Sequence, residues 1–273
     1  MPQDIALSFA IRSNLLALAT TQELVARTQG RLSSGLRVAS PLDDARAYFE
    51  AKALSNEAFD INEKKEGIDQ AISAVTLALT GTDSIERLVA QMKGIAISAK
   101  TSSGNELTEL VSQYNELRNQ VDNLARDTAY QGRHLINGTG ETLSVSFSND
   151  TLSVFDINSV DLTVGSLGLA LTSAASFSLG SVVDAALLEI TNALSTLRGK
   201  AQALGSSVAV LQTRLKFTTQ VVNTLDGGAA KLTLADINEE GANLVALQVR
   251  QQLGIQALAF AGQSEQAVLG LFR

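Results

Sequence analysis

The sequence predicts a mainly α protein of long packed helices with a small β-containing segment in its middle, and three observations predict it. The only prolines are Pro2 and Pro41, so the chain from Leu42 to Arg273 lacks the residue that most reliably breaks helices. Apolar residues recur three and four apart over long stretches on both sides of the middle. Between about Gly132 and Gly180 that pattern gives way to Ser, Thr, Gly and Asn with short alternating runs. Aromatic residues are 4% of the chain and Trp is absent, so small and aliphatic side chains must fill the core.

From Ile5 to Leu32 one stripe carries Ile11, Leu18, Val25 and Leu32 at spacings of seven with Leu15 alongside, the pattern of a helix with a coiled-coil seam. Ser33-Ser34-Gly35 offers a stop. Ser40-Pro41-Leu42-Asp43-Asp44-Ala45 reads as a new start, with proline fixing the entry and two carboxylates where the first-turn dipole favours negative charge. The helix it opens is expected to run from Asp43 to about Lys100, carrying Ile85, Leu88, Met92, Ile95 and Ala99 on one face and stopping at Thr101-Ser102-Ser103-Gly104. After that turn Leu107, Leu110, Tyr114, Leu117, Val121 and Leu124 keep the three-four alternation of packed helices.

In the middle segment Leu143, Val145 and Phe147 face one way, as do Leu162 and Val164, so strands and turns are expected there. The helical pattern returns from Val183 through Leu187, Ile190, Leu194, Leu197, Ala201, Leu204, Val208, Leu211 and Leu215 to Val222 and Leu225, missing only at Thr218. A helix of that span is roughly 60 Å long. Asp226-Gly227-Gly228 is its expected end.

The last helix begins near Asp236 and differs from the others. From Asn243 to Phe272 its only charges are Arg250 and Glu265, where the overall composition predicts about five, and Leu247, Leu253, Leu258, Phe260 and Leu271 fall on more than one face. A helix so poor in charge is normally buried on most sides. The sequence offers one helix, the N-terminal stripe, to cover it, so other copies of the chain must supply the remaining walls.

Composition excludes several classes. There is no cysteine, which removes disulfides, thiolate nucleophiles and Cys-ligated metals. The net charge of −7 and the lack of a Lys/Arg run argue against nucleic acid. No stretch of about 18 uncharged apolar residues spans a membrane. At the N-terminus Asp4 stands where a signal peptide has basic residues and Arg12 interrupts the apolar run, so no cleaved signal is expected.

His134 is the only histidine, which rules out a His-His zinc pair and leaves any triad to be built around it; the plain reading is a loop residue. Asp43 and Asp44 read as helix initiators or partners of Arg46 rather than an acid-base pair. Gly132, Gly138, Gly140, Gly165 and Gly168 lack phosphate-loop spacing and read as turns. The Ser/Thr density from Gly138 to Ser181 fits O-linked sugars or solvated turns, and composition leaves both open. No catalytic, metal or cofactor-binding residues are expected.

Two stretches carry a family resemblance. Leu32-Ser33-Ser34-Gly35-Leu36-Arg37-Val38-Ala39-Ser40-Pro41-Leu42-Asp43-Asp44-Ala45 resembles the N-terminal signature of bacterial flagellins, L-S-[ST]-G-L-[RK]-[IV]-x-[SR]-x-x-D-[DN]-[AP]. The stretch from Asn243-Leu244 through Gln251-Gln252-Leu253-Gly254 to Ala267-Val268-Leu269-Gly270-Leu271-Phe272-Arg273 is similar to the C-terminal one. The resemblance covers residues 1–137 and 181–273 and implies an elongated, hairpin-like helical bundle and coiled coil.

Its parts would be an N-terminal inner-tube helix (1–42), the two halves of a bundle (43–137 and 181–230), a short outer variable region (138–180) and a C-terminal inner-tube helix (231–273). Self-assembly would rest on Ile11, Leu15, Leu18, Val25, Leu32, Leu244, Leu247, Leu253, Leu258, Phe260 and Leu271. The bundle core would be Leu110, Tyr114, Leu117, Val183, Ile190, Leu197, Leu204 and Leu211.

The resemblance also implies a structural subunit, not an enzyme, that polymerises into the filament used for swimming. Its partners would be copies of itself, an export chaperone at the C-terminal helix, a filament cap and hook-associated junction proteins. Export would run through the flagellum's own type III channel without a cleaved signal.

One departure matters. Many relatives carry Q-R-V-R-E-L-A-V, the segment through which an innate immune receptor senses the monomer, where this chain has Ala90-Gln91-Met92-Lys93-Gly94-Ile95-Ala96-Ile97. Loss of both arginines and the acid implies weak receptor binding. The alternatives are a junction protein of the same export class and an enzyme domain inserted in a flagellin scaffold; about 45 Ser-rich residues with no HExxH cannot supply the latter.

Overall fold

The computed structural model describes residues 9–150, 152–166, 168–177 and 180–271, and the side chains among them except those of Ala10 and residues 265–271. Five helices and two small antiparallel sheets follow one another: α1 (Phe9–Ser34), α2 (Ala45–Ala99), α3 (Asn105–Asp127), β1 (Ala129–Tyr130), β2 (Arg133–His134), β3 (Thr142–Ser146), β4 (Val154–Asn158), α4 (Gly180–Thr233) and α5 (Ile237–Leu271). The mainly α expectation with a β-containing middle holds. Two compact units form, Met1–Glu57 with Thr224–Arg273 and Ala58–Asn223, so the division falls inside α2 and α4.

The core of the second unit follows from helix periodicity. On α2, Ile68, Ala71, Val75, Ala78, Thr82, Ile85, Val89, Met92, Ala96 and Ala99 are all buried, an unbroken three-four alternation. On α4, Val183, Ile190, Leu197, Leu204 and Leu211 are buried to within 2% and join the same cluster. Thr218, where the apolar pattern fails, stays buried. Tyr114 of α3 is fully buried, edge-on to Phe177 at 5.3 Å, while Leu110 and Leu117 pack half-buried against the cluster. Burial first, and the Glu189 charge second, push the Tyr114 hydroxyl up to about 12.

Within α2 a glycine makes room for a neighbouring element. A Cβ on Gly81 would lie 2.8 Å from Thr128 Oγ1 and 3.0 Å from Ile136 Cδ1, so the segment after α3 sits against bare helix backbone. That segment begins with a tight hairpin, β1 to β2, turned by Gln131 and Gly132 at φ +50° and +78°. The hairpin begins just ahead of Gly132, where strands and turns are expected to start, and it places His134 on β2 rather than in a loop.

β3 pairs with β4 in the register Leu143↔Ile157 and Val145↔Phe155, so Leu143, Val145, Phe155 and Ile157 share one face, as period two requires. Phe147 stacks on Phe155 at 6.3 Å, and the Arg214 guanidinium lies 4.9 Å over the Phe147 ring. Leu162 and Val164, expected in a strand, are buried but lie in the irregular segment after β4. There Leu169, Leu171, Ala174 and Phe177 also turn inward and join the helical core. The Asn115 side chain donates to Ala174 O at 2.8 Å and accepts from Ala174 N at 2.9 Å, Arg118 donates to Leu171 O at 2.7 Å, and the Thr172 N–H donates to Glu189 at 3.0 Å. Side chains thus satisfy a buried backbone that no strand pairs.

In the first unit, α1 ends at Gly35, whose φ of +70° sends the chain out of the helix while its N–H donates to Arg31 O at 2.8 Å. The two aspartates expected inside the first turn of α2 both precede it. Asp43 accepts from the N–H groups of Ser40 and Ala39 and from the Ser40 hydroxyl, closing a turn, and Asp44 caps α2 through the Ala47 N–H at 3.1 Å. Arg46 pairs with Glu50 instead. The bonds from Ser40 are the main cause that holds the Asp43 carboxyl below its ordinary value.

α4 does not stop at Asp226-Gly227-Gly228 but continues to Thr233. Two glycines cost roughly 1 kcal/mol each in a helix, and tertiary contacts outweigh that. A Cβ on Gly228 would lie 3.3 Å from Leu54, and the last turn is held from outside. The N–H groups of Arg37 and Val38 donate to Thr233 O at 2.8 and 3.2 Å, and the Arg37 guanidinium donates to Leu232 O at 3.0 Å.

Two expectations follow. Gly227, with nothing near its Cβ position, gains stability as Gly227→Ala by about 0.5–1 kcal/mol, whereas Gly81→Val loses about 1–3 kcal/mol to overpacking; urea unfolding measures both. A depressed carboxylate contributes stability above its unfolded-chain value and loses it as pH falls through the folded one. The Asp43 resonance followed by NMR therefore titrates below the ordinary carboxylate range, the turn opens on further acidification, and Ser40→Ala returns the titration upward.

Candidate self-assembly surface

α1 and α5 pack along each other within the first unit. Arg31 donates to Glu240 Oε1 at 2.8 Å, and Leu18 Cδ1 lies 2.8 Å from where a Cβ on Gly254 would stand. One set of numbers falls as the other rises, so the helices are antiparallel.

On α1, Ile11, Thr21 and Thr28 are buried and Leu18, Val25 and Leu32 half-buried. The spacing-of-seven stripe is therefore one half of the seam. The other half is polar or small: Asn14, Thr21, Thr28 and Gly35. A search for apolar periodicity passes over it, although Thr21 and Thr28 repeat at the same interval of seven. Leu15, expected alongside the seam, is 39% exposed, because at about 100° per residue it lies about 40° round the helix from Ile11, on the far side from Asn14 and at the edge of the seam.

On α5, Leu244, Leu247 and Leu258 are half-buried on the stripe that Gln251, Gly254 and Ala261 complete. Leu253 and Phe260 lie elsewhere, 59% and 72% exposed, and with Val245 and Val249 form a second apolar stripe nearly opposite the first. The side chain of Leu271 lies outside the described residues. The expected assembly set thus divides into an intramolecular seam and an uncovered face.

The stretch Leu32 to Asp44 joins these elements. Ser33 is exposed, Leu36 bridges to Leu234, the Gly35 carbonyl accepts from Ala235 N–H at 3.0 Å, and Arg37 caps α4. Several residues of this stretch therefore do local work: Gly35 ends one helix, Leu36 and Arg37 clasp the end of another, and Asp43 and Asp44 start a third.

The segment Gln91, Met92, Lys93, Gly94 and Ile95 lies on α2. Met92 is fully buried, Lys93 and Ile95 are half-buried, and Gln91 and Gly94 are exposed. Among the described residues there is no group of three or more His, Cys, Asp or Glu placed to hold a metal, and no helix long and apolar enough to cross a membrane. The His134 N–H donates to Glu141 at 2.9 Å. The hydroxyls of Thr139, Thr163 and Thr172 bond to Asn137, Asp161 and Glu189, which fixes turns in the Ser/Thr-rich middle.

Two family profiles match this chain: bacterial flagellin N-terminal helical region over residues 8–141, and bacterial flagellin C-terminal helical region over residues 182–272. Flagellin FljM from Caulobacter vibrioides is 33% identical over 97% of this chain and 98% of its own length. Flagellin FljO from the same organism is 34% identical over 94% and 93%. Among solved structures, a flagellar hook-associated protein from Vibrio parahaemolyticus superposes with a TM-score of 0.58 over 70% of this chain and 100% of that one, at 16% identity, a likeness of fold alone. Near full-length relatives that are flagellins do not favour a junction protein. The chain belongs to the bacterial flagellin family and is a structural subunit of the flagellar filament.

Proposed function

We propose that assembly rests on α1 and α5 together, with the seam between them made within one subunit and the second stripe of α5 covered by neighbouring subunits. The observation that carries this is the exposure of Val245, Val249, Leu253 and Phe260 along a helix with so few charges. Each such side chain contributes about 1.5–3 kcal/mol when fully buried, so water is an unfavourable resting place for that face. In this reading residues 1–42 and 231–273 line the inner tube, 43–137 and 181–230 form the surrounding bundle, and 138–180 lies outermost.

The same apolar helix is what an export chaperone would cover before secretion. Transit through the flagellum's type III channel needs no cleaved signal, in keeping with Asp4 and Arg12. Addition would occur at the distal tip beneath a cap, above hook-associated junction proteins. Innate immune recognition would be weak, since the exposed positions of the 91–95 segment are Gln91 and Gly94, which offer neither a guanidinium fork nor a carboxylate.

Seeding tests the assembly reading. The full chain elongates short filament fragments, followed by light scattering and electron microscopy, whereas a chain lacking residues 243–273 or carrying Leu253→Ser with Phe260→Ser does not. Closed rings from the full chain, under conditions that polymerise a known flagellin, would transfer the assignment to a junction protein. Purified monomer applied to receptor-bearing cells gives a weak response; a full one refutes that part.

A further inference from the structure

The seam positions of α1 and α5 recur every seven residues, and the aliphatic side chains among them do not by themselves choose between one register and the next heptad along. Sliding α5 by seven residues on α1 would still bring aliphatic side chains together: Leu32 would come level with Leu247, and Leu18 with Ala261. What the slide destroys are the non-apolar matches. Arg31 would lose Glu240, and Leu18 would no longer project onto the bare backbone of Gly254. Thr21, level with Gln251 in the observed register, would face Leu244 or Leu258.

We propose that the axial register of α1 on α5 is set by the Arg31–Glu240 pair and the Leu18–Gly254 knob and hole, and not by the leucine stripe. The pair is suited to this. Glu240 is 6% exposed and Arg31 half-buried, with its Nε buried and without a hydrogen-bond partner among the described residues, so separating the two leaves a buried carboxylate without its cation. It also sits beside the backbone clasp of Leu36↔Leu234 and of the Gly35 carbonyl with Ala235, which a seven-residue slide would have to break as well, so pair and clasp hold the same end of the seam in one register. The hole is suited as well: a Cβ at position 254 would make Leu18 shift, and a seven-residue slide puts Leu247 or Ala261 beneath it.

The register matters to the filament because it sets the offset between the outward side chains of the two helices. One heptad is a shift of about 10 Å along the axis, at about 1.5 Å per residue. A slipped subunit would present Leu253 and Phe260 of α5 displaced by that length relative to Phe9 and Leu16 of α1, both of which are exposed. A repeating lattice cannot absorb two such subunits.

The absence of cysteine makes the register readable by cross-linking. Leu247→Cys is combined with Val25→Cys to report the observed register, and with Leu32→Cys to report the slip; none of these positions belongs to the lock. Each pair is oxidised in dilute soluble chain and in seeded filaments later dissolved without reductant, and bonds within one chain are identified by mass. The unaltered lock yields the 25–247 bond alone. With Arg31→Leu and Glu240→Leu the 32–247 bond rises to a comparable yield, and with Arg31→Glu and Glu240→Arg the 25–247 bond dominates again. Persistence of the 25–247 bond alone in the leucine pair overturns the proposal, as does a 32–247 bond with the lock intact. Should the leucine pair lose helicity by circular dichroism, the charge-swapped chain decides: native-only cross-linking supports the lock, and a mixture of bonds refutes it.

Discussion

The rest of the structure depends on one mismatch: α5 has two apolar faces, and the chain provides one helix to lie on. A helix with a single apolar stripe is completed by a single partner, and its opposite side is made soluble by charge. Between Asn243 and Phe272 that charge is reduced to Arg250 and Glu265. Packing on α1 covers Leu244, Leu247 and Leu258 and leaves Val245, Val249, Leu253 and Phe260 in solvent. The energy of the second face is unspent in the single chain, and a subunit of a flagellar filament is where it can be recovered.

The second unit is organised on the opposite principle. Its helices present one buried stripe each, and whatever stripe surface remains is closed by the middle segment. Leu162, Leu169, Leu171 and Phe177 add to the core where strands run out, and Asn115, Arg118 and Glu189 take up the backbone polar groups of the strap. The short middle of this chain is therefore a lid on the helices, and it has little length to spare for anything else.

Much of this was legible in the residues. Period three-four placed α2, α3 and α4 and named the buried Tyr114, Val121, Val183, Ile190, Leu197, Leu204 and Leu211 but only Ile85, Met92 and Ala99 on α2, where small alanines carry much of the buried stripe. The readings that failed share a cause. Gly227-Gly228 is a stop by local propensity, yet α4 passes through it since Arg37 and Val38 wait at Thr233, residues distant in sequence. Leu162 and Val164 are apolar at period two, but the pairing beside them stops at the isolated Asn137↔Asp161 bridge and the Leu162 N–H on Ile136 O, and does not extend into a strand. On the seam, Thr21, Thr28, Gln251 and Gly254 went unread because they are not hydrophobic, while Leu15, which is, points away.

Those unread residues bear on how the chain can be both exported and assembled. A seam of leucines throughout would hold α1 on α5 more tightly and in several registers at once, since every heptad would resemble the next. Replacing every second layer with Thr, Asn, Gln or Gly lowers the strength of the pair and raises its specificity. On the proposed route through the flagellum's own channel the weaker pair is easier to open, and the buried Arg31–Glu240 contact gives it one way to close again. In the proposed assembly strength is then restored from outside, when neighbours cover the second stripe of α5. The polar layers within the subunit and the apolar stripe on its surface are two parts of one solution: an element that is precise but loose alone becomes rigid only in the lattice.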